Sequence, residues 1–170
     1  MRGALDELLM VHFDSAYNLA RWLMGNVEDA EDVTQEAYLR AFQYSDGFRG
    51  GDARAWVLTI VRNTAYKWLS KNRAHEPAQF DEERHTTDTQ SSNPEQLAIQ
   101  AADAQLLERA LGELPVRFRE ILVLRDLEGL SYREISNVMN IPIGTVMSRL
   151  SRARQRLGVA IRDQTITEAA

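Results

Sequence analysis

Apolar residues recur every three or four positions through most of this chain, and no segment alternates apolar and polar side chains convincingly. That spacing is the period of a helix with one buried face, whereas a half-buried strand alternates at every second residue. We therefore predict an all-α fold. The predicted helices lie near 4–24, 28–44, 53–73, 95–112, 115–127, 132–139 and 144–160.

Capping residues mark several of the predicted helix ends. Asn26 and Asp52 stand where N-caps belong, and Pro115 suits the first turn of a helix. The sequence SYRE at 131–134 has the spacing of a capping box, in which two side chains satisfy each other's free backbone N–H groups. Asn140 favours a helix end, so the helix over 132–139 is closed at both ends.

A polar, acidic stretch divides the chain. Residues 75–96 read HEPAQFDEERHTTDTQSSNPEQ and contain two prolines, which is typical of a flexible linker. We predict two small helical domains joined by this acidic linker. The predicted boundaries are 1–73 for the first domain, 74–96 for the linker, 97–162 for the second domain and 163–170 for the tail.

The bulk composition narrows the classes of protein. No run of about 18 apolar residues is present, so we expect no membrane insertion. The first residues, MRGALDELLM, lack the apolar core of a signal peptide. The chain has no cysteine, which excludes disulfides and thiolate metal sites and fits a cytoplasmic location.

The end of the chain carries concentrated positive charge although the net charge is −5. The segment GTVMSRLSRARQRL at 144–157 has four arginines and no acid, and it follows a capped helix and the short turn NIPIG. This arrangement is a helix-turn-helix, whose second helix suits the major groove of duplex DNA. A solvated basic helix is the alternative. The predicted buried stripe is Val146, Leu150, Ala153 and Leu157. The predicted DNA-facing residues are Thr145, Met147, Ser148, Arg149, Ser151, Arg152 and Arg156.

Three longer segments resemble one protein family. LPVRFREILVLRDLEGLSYREISNVMNIPIGTVMSRLSRARQRLG is similar to region 4 of bacterial sigma factors, which reads the −35 promoter element. EDAEDVTQEAYLRAF and RAWVLTIVRNTAYKWL are similar to region 2. The resemblance covers nearly the whole chain and indicates the two-domain extracytoplasmic-function (ECF) class of the sigma-70 family. It implies a transcription initiation factor that directs core RNA polymerase to −35/−10 promoters and promotes melting without nucleotide hydrolysis.

The helix over 53–73 has two different faces. One is apolar and predicted to be buried: Val57, Leu58, Val61, Ala65, Trp68 and Leu69. The other mixes aromatic rings, amides and cations, which suits single-stranded DNA because bases stack on rings and cations hold the backbone. The resemblance implies that this face captures the −10 element. The candidates are Trp56, Arg62, Asn63, Tyr66, Lys67 and Ser70. In the alternative, Trp56 and Tyr66 pack against the preceding loop.

The helix over 28–44 shows an unusual outward face. Its predicted buried stripe is Ala30, Val33, Ala37, Ala41 and Tyr44. Its outward residues are Asp32, Gln35, Glu36 and Leu39. Acids beside an exposed leucine fit a partner with basic residues around an apolar pocket. The resemblance implies that this partner is the β′ clamp helices of RNA polymerase. It also implies a contact with the β flap. We further expect an anti-sigma factor as a partner, because two domains on a flexible linker can be folded closed around an inhibitor. A solvated acidic first turn is the alternative, and it accounts for Glu28 and Asp29.

No enzyme motif is present, and we predict no catalytic residue, metal or cofactor. The carboxylates at 28, 29, 31 and 32 spread around their helix, and His12, His75 and His85 are scattered. Two other classes stay open. One is a conventional helix-turn-helix regulator with an N-terminal sensing domain, and the other is a sigma-like mimic that sequesters an anti-sigma factor.

Overall fold

A computed structural model of the protein describes residues 2–72 and 94–169, and every regular element in these two ranges is helical. The all-α prediction is confirmed. The α-helices are α1 Arg2–Val11, α2 Phe13–Met24, α3 Val27–Gln43, α4 Ala53–Asn72, α5 Pro94–Glu113, α6 Val116–Leu122, α7 Tyr132–Met139 and α8 Ile143–Ala169. A 3₁₀ turn at Ser45–Gly47 follows α3, and a π turn at Val123–Leu127 continues α6. The predicted linker over 74–96 lies outside the described residues except for its last three residues, which begin α5.

The predicted N-caps of α3 and α4 are confirmed. The Asn26 side chain accepts a hydrogen bond from the backbone N–H of Asp29 at 2.8 Å. Asp52 accepts one from the backbone N–H of Arg54 at 3.0 Å. Each bond satisfies an N–H group that has no partner within its own helix, so both helices begin where the sequence places them.

Both ends of α7, the first helix of the helix-turn-helix, are capped. Ser131 Oγ accepts from the backbone N–H of Glu134 at 3.1 Å, and Glu134 Oε1 accepts from the backbone N–H of Ser131 at 3.0 Å. This reciprocal pair is a complete capping box at the start of α7. Asn140 ends the helix in the left-handed conformation, with φ of 54°. Both ends of α7 are therefore fixed, and Asn140 begins the turn into α8.

The predicted single helix over 4–24 is wrong, because the chain breaks at His12. His12 has φ −97° and ψ 11°, outside the α-helical region. The Leu9 carbonyl accepts the Tyr38 hydroxyl at 2.8 Å from α3, and also the backbone N–H of His12 at 3.1 Å. A tertiary hydrogen bond thus takes up a carbonyl at the end of α1, which separates α1 from α2.

The last helix is longer than the predicted 144–160. It continues to Ala169, so nearly all of the predicted tail at 163–170 is helical. Two contacts with α5 explain the extension. Glu168 pairs with Arg109 at 2.8 Å, and Gln164 donates to Glu113 at 3.0 Å. The predicted helix over 115–127 also differs from the structure. Pro115 precedes α6, and the second part of the predicted range forms the π turn.

The predicted buried stripes are largely confirmed, with one correction in α3. Four of its five predicted core residues are buried, whereas Tyr44 is 62% exposed. Since α3 ends at Gln43, Tyr44 leaves the helical register, and Tyr38 packs into the core instead. In α4 Trp68 is only half-buried, and in α8 Leu157 is only half-buried. The other predicted stripe residues of these two helices are buried: Val57, Leu58, Val61, Ala65, Leu69, Val146, Leu150 and Ala153.

The two halves of the chain pack directly against each other, with α2 on α6 and α4 on α7. Asn18 Nδ2 donates to Glu128 Oε1 at 2.9 Å, and Arg54 Nη1 donates to the Glu128 backbone oxygen at 2.9 Å. Arg119 Nη1 donates to the Trp22 carbonyl at 3.0 Å. The buried apolar side chains of both halves form one continuous core.

We expect Ser131→Ala to lower the free energy of unfolding by about 1 kcal/mol, because the capping acceptor of α7 is lost. Urea denaturation followed by circular dichroism measures this change. Ser131→Asp is the control, since aspartate also accepts at an N-cap and should retain most of the stability. An alanine variant as stable as the unmodified chain would show that the capping box contributes nothing.

Candidate nucleic-acid interface and protein-docking groove

The basic helix α8 presents an open surface beside its buried stripe. Met147 is 54% exposed. The predicted DNA-facing residues that are exposed are Met147, Ser148, Ser151, Arg152 and Arg156, while Thr145 and Arg149 are half-buried. Arginine guanidinium groups and small hydroxyls on one helix can donate hydrogen bonds to base edges and phosphates. The exposed side of α8 offers such donors, and its role in binding DNA stays a prediction.

Two arginines of α8 have partners within the chain. Arg154 pairs with Asp126 of the π turn at 2.7 Å. The guanidinium of Arg156 lies 4.9 Å from the centre of the Phe118 ring. Arg154 is therefore bound to an acid of its own chain, whereas Arg152 points into solvent. Arg152 is the better placed of these cations to bind DNA directly.

The polar face of α4 is only partly open. Asn63, Lys67 and Ser70 are exposed. Arg62 and Tyr66 are half-buried because α6 of the other half covers them. The Arg62 guanidinium lies over the Tyr66 ring, 4.4 Å from its centre. The predicted −10 residues thus divide into an open group and a covered pair.

Glu120 of α6 is the group that holds the covered pair. Its side chain is fully buried, Arg62 Nε donates to Oε1, and the Tyr66 hydroxyl donates to Oε2 at 2.5 Å. Burial raises the pKa of the Glu120 carboxyl, and the charge of Arg62 opposes that rise. Burial and the nearby Glu120 carboxylate raise the pKa of Tyr66. The Tyr66 hydroxyl is therefore protonated at neutral pH and acts as the donor.

Trp56 lies against the loop that precedes α4. Its ring centre is 5.4 Å from that of Phe48, with the planes tilted by 59°. This contact is the packing alternative that the sequence leaves open for Trp56. For Tyr66 the structure shows a different contact from that packing, since its hydroxyl donates to Glu120 of the other half.

The outward face of α3 is open as predicted. The four residues Asp32, Gln35, Glu36 and Leu39 are all exposed. Leu39 is 64% exposed, an unusual state for a leucine on an ordered helix. Glu36 forms an ion pair with Arg40 one turn later, at 2.6 Å. This pair lies on the surface, where such pairs contribute little to stability, so it leaves Glu36 accessible to a partner.

An apolar groove of about 690 Å³ lies beside this face, between α1, α2 and α3. Its lining residues are Met10, Phe13, Tyr17, Glu31, Gln35, Tyr38, Leu39 and Phe42. We call this surface the docking groove. Gln35 and Leu39 of the predicted set line it, while Asp32 and Glu36 are exposed nearby on the same helix. An apolar depression with acidic neighbours fits a helical partner that carries apolar anchors and basic residues.

Aromatic packing and one hydrogen bond hold the floor of the docking groove. Tyr38 packs against Phe13 at 5.2 Å and against Phe42 at 5.9 Å between ring centres. Its hydroxyl donates to the Leu9 carbonyl, and burial raises the pKa of Tyr38 to about 12. The hydroxyl stays neutral at physiological pH, so this hydrogen bond persists and fixes the three rings.

The sequence reasoning missed most of the docking groove. Met10, Phe13 and Phe42 were not among the predicted site residues. A usable signal lies in the run LLMV at 8–11, since one helix face cannot bury four consecutive apolar residues. Within this run only Leu9 is buried, and the others face outward.

Among residues 2–72 and 94–169, no group of three or more histidine, aspartate or glutamate side chains is placed to hold a metal ion. No helix in those ranges is long and apolar enough to cross a membrane.

Comparison with known families and proteins gives consistent results. Sigma-70 region 2 matches residues 8–75, and sigma-70 region 4 matches residues 104–157. The ECF RNA polymerase sigma factor SigE of Mycolicibacterium smegmatis is 36% identical over 152 residues, covering 89% of this chain and 59% of that protein. The ECF RNA polymerase sigma-E factor of Escherichia coli is 36% identical over 137 residues, covering 76% of this chain and 72% of that protein.

Solved structures agree with the sequence matches. The sigma factor RpoE of Bartonella quintana, solved in complex with the anti-sigma factor NepR, has a TM-score of 0.75 at 26% identity. That alignment covers 92% of this chain and 95% of the RpoE chain. The extracytoplasmic-function sigma factor SigJ of Mycobacterium tuberculosis has a TM-score of 0.59 at 25% identity, covering 89% of this chain and 52% of SigJ. Family matches over both halves, relatives above 30% identity and a shared fold agree, and the chain therefore belongs to the ECF class of sigma-70-family RNA polymerase sigma factors.

Proposed function

We propose that this chain is a non-enzymatic transcription initiation factor that acts in the cytoplasm. It binds core RNA polymerase, directs the enzyme to promoters with −35 and −10 elements, and promotes DNA melting. We assign polymerase binding and the −10 element to residues 1–73, and the −35 element to residues 97–162. The chain spans 59% of the length of the M. smegmatis relative. We therefore base these roles on the surfaces of the chain itself.

One observation carries this proposal: a single chain exposes two surfaces of opposite chemistry. The docking groove is apolar and flanked by Asp32 and Glu36, which suits a protein partner with basic residues. The face of α8 is basic and carries Arg152, which suits DNA. A regulator that binds DNA alone has no use for the groove, whereas an initiation factor needs both surfaces.

The partners follow from these surfaces. The docking groove and the outward face of α3 would bind the β′ clamp helices, and the C-terminal half would contact the β flap. Asn63, Lys67 and Ser70 would bind the melted −10 strand through amide, ammonium and hydroxyl groups. The relative RpoE was solved with an anti-sigma factor, and we propose an inhibitor of that class here as well.

Run-off transcription with purified core polymerase tests the proposal directly. The template carries a library of −35 and −10 sequences, and transcripts should form only when chain, core polymerase and a matching template are all present. Sequence-specific DNA binding without any affinity for polymerase would instead identify a conventional helix-turn-helix regulator. Binding to an anti-sigma factor with no transcripts from any template would identify a mimic.

Leu39→Ala should weaken binding to core polymerase about five- to thirtyfold, which corresponds to about 1–2 kcal/mol for a buried apolar anchor. Fluorescence anisotropy of labelled chain titrated with core polymerase measures the Kd. Ile166→Ala is the control, because Ile166 is 68% exposed on α8 and lies outside the docking groove. Equal Kd values for Leu39→Ala and the unmodified chain would remove the groove from the polymerase interface.

Asn63→Ala should slow open-complex formation on duplex promoters, because an exposed amide that holds the separated strand is lost. A template mispaired across the −10 region should restore part of the rate, since the cost of unpairing is already met. Permanganate footprinting measures the melted bases. Asn72→Ala, at the end of the same helix, is the matched control. A normal footprint for Asn63→Ala would contradict this role.

Arg152→Ala should reduce transcription, because it weakens binding to the −35 element. If Arg152 contacts a base, the loss of binding free energy should be about 1–3 kcal/mol. A base contact relaxes preference at one −35 position, whereas a phosphate contact weakens all sequences and lowers the salt slope by about one unit. A randomised −35 library measures both effects. Arg154→Ala is the matched control, because Arg154 is paired with Asp126.

Met147→Arg, assayed with the same library, should strengthen or shift −35 selection, because a thioether cannot donate to a base edge and arginine can. Unchanged output and unchanged base preference in both Arg152→Ala and Met147→Arg would show that α8 does not read DNA.

A further inference from the structure

The π turn at Val123–Leu127 carries two neighbouring charged residues whose side chains bind different partners. Arg125 Nη1 donates to the Leu130 carbonyl at 2.8 Å, so Arg125 holds the chain just after the turn. Asp126 binds Arg154 of α8 instead. π turns are uncommon and occur frequently at functional sites. This one places an acid against the basic helix.

Asp126 makes two hydrogen bonds with the guanidinium of Arg154. Arg154 Nη2 donates to Oδ1 at 2.7 Å, and Arg154 Nε donates to Oδ2 at 3.3 Å. A guanidinium binds a phosphate group by the same two-pronged arrangement. The carboxylate of Asp126 therefore occupies the donors that Arg154 would otherwise offer to the backbone of DNA.

The ion pair of Asp126 and Arg154 lies on the surface. The side chain of Arg154 is 50% exposed and that of Asp126 is 41% exposed. Exposed ion pairs contribute little to folding stability, because water and salt screen both charges. The buried stripe of Val146, Leu150 and Ala153 already holds α8 in place. The main consequence of the pair is therefore the charge that α8 presents to solvent.

Arg154 lies beside the residues that we propose to face the −35 element. It lines a depression of about 450 Å³ between α7 and α8. The lining residues are Tyr132, Met147, Leu150, Ser151, Arg154 and Gln155. Met147 and Ser151 belong to the proposed DNA face, and both are exposed. A duplex bound to that face would bring its phosphates close to Arg154.

We propose that Asp126 is a positioning residue that withholds Arg154 from the DNA backbone. This inference rests on the proposed function, which assigns the exposed side of α8 to the −35 duplex. Phosphate contacts strengthen binding to every sequence alike, whereas contacts to base edges distinguish sequences. By occupying Arg154, Asp126 removes one phosphate contact. Base contacts then supply a larger share of the affinity, and binding to DNA without a −35 element is weaker.

Asp126 competes with phosphate because the π turn holds it at hydrogen-bonding distance from Arg154. A phosphate has to displace an acceptor that is already in place, and a tethered acceptor acts at a high effective concentration. Arg152 lies two residues earlier on the same helix and is exposed. The two arginines therefore differ in role, since Arg152 is available to DNA and Arg154 is held by the chain itself.

Asp126→Asn should strengthen binding of the holoenzyme to duplex DNA, because Arg154 becomes available to one more phosphate. The salt slope should become steeper by about 0.9 unit for that contact. The gain in affinity should therefore be about three- to fourfold larger at about 50 mM salt than at about 200 mM. Fluorescence anisotropy measures the Kd for two labelled duplexes, one with the −35 sequence selected from the randomised library and one of random sequence. Both should bind more tightly by a similar factor.

Asp163→Asn and Asp126→Glu are the controls. Asp163 is exposed further along α8, so its replacement removes the same charge without releasing Arg154. Glutamate at position 126 keeps an acid beside Arg154 and should keep the salt slope of the unmodified chain. Circular dichroism verifies that each variant retains its helices.

Arg154→Ala separates two ways in which Asp126 could weaken DNA binding. If Asp126 acts by holding Arg154, adding Asp126→Asn to Arg154→Ala should change neither the Kd nor the salt slope, because the released cation is absent. If the charge of Asp126 repels phosphates directly, the gain should persist in the double variant.

Four outcomes are distinguishable. Tighter binding and a steeper salt slope for Asp126→Asn, both lost in the double variant, support the inference. A gain that persists in the double variant overturns it, since Asp126 then does not act through Arg154. An unchanged salt slope for Asp126→Asn in a holoenzyme that transcribes also overturns it and leaves the proposed function intact. Absence of transcripts from every template in the run-off assay overturns the proposed function, and the inference falls with it.

Discussion

The contact of Arg62 and Tyr66 with Glu120 constrains how the two halves of the chain pack. Each half can bury its own apolar stripes, but a fully buried carboxylate requires donors, and α4 supplies them. Apolar packing is tolerant of small shifts, whereas hydrogen bonds to a buried acid are directional. This contact therefore favours one packing of α6 on the N-terminal half. The hydrogen bonds of Asn18, Arg54 and Arg119 across the same interface favour it too.

The surfaces of the chain differ in accessibility. The docking groove, with Tyr38 at its floor, is open. The basic face of α8 is mostly open, and Arg152 is exposed. The polar face of α4 is only partly open, because Glu120 of α6 binds Arg62 and Tyr66. The open surfaces are therefore the ones that we propose for polymerase and for the −35 element.

Periodicity and capping chemistry predicted most of the fold, because both are local properties. Asn26 and Ser131 cap the helices that the sequence places there. The predictions that failed concern features that depend on tertiary packing. Tyr44 lies one residue past the end of α3 and is not part of the core. The run LLMV at 8–11 indicates that some of its apolar side chains are exposed, but not that Met10 lines a groove with residues of α2 and α3. Glu120 looks like an ordinary surface acid on α6, since its burial depends on α4, more than fifty residues away. A helical pattern shows which face is buried but not which element covers it.

Hydrogen exchange of the chain, measured alone, with core polymerase and with polymerase and promoter DNA, tests the account most directly. The account proposes separate surfaces for the two partners, the docking groove for polymerase and the basic face of α8 for DNA. It predicts that polymerase slows amide exchange in α1–α3 around the docking groove, and that promoter DNA adds protection along α8. Unchanged exchange around the docking groove in a polymerase complex active in transcription would contradict this account.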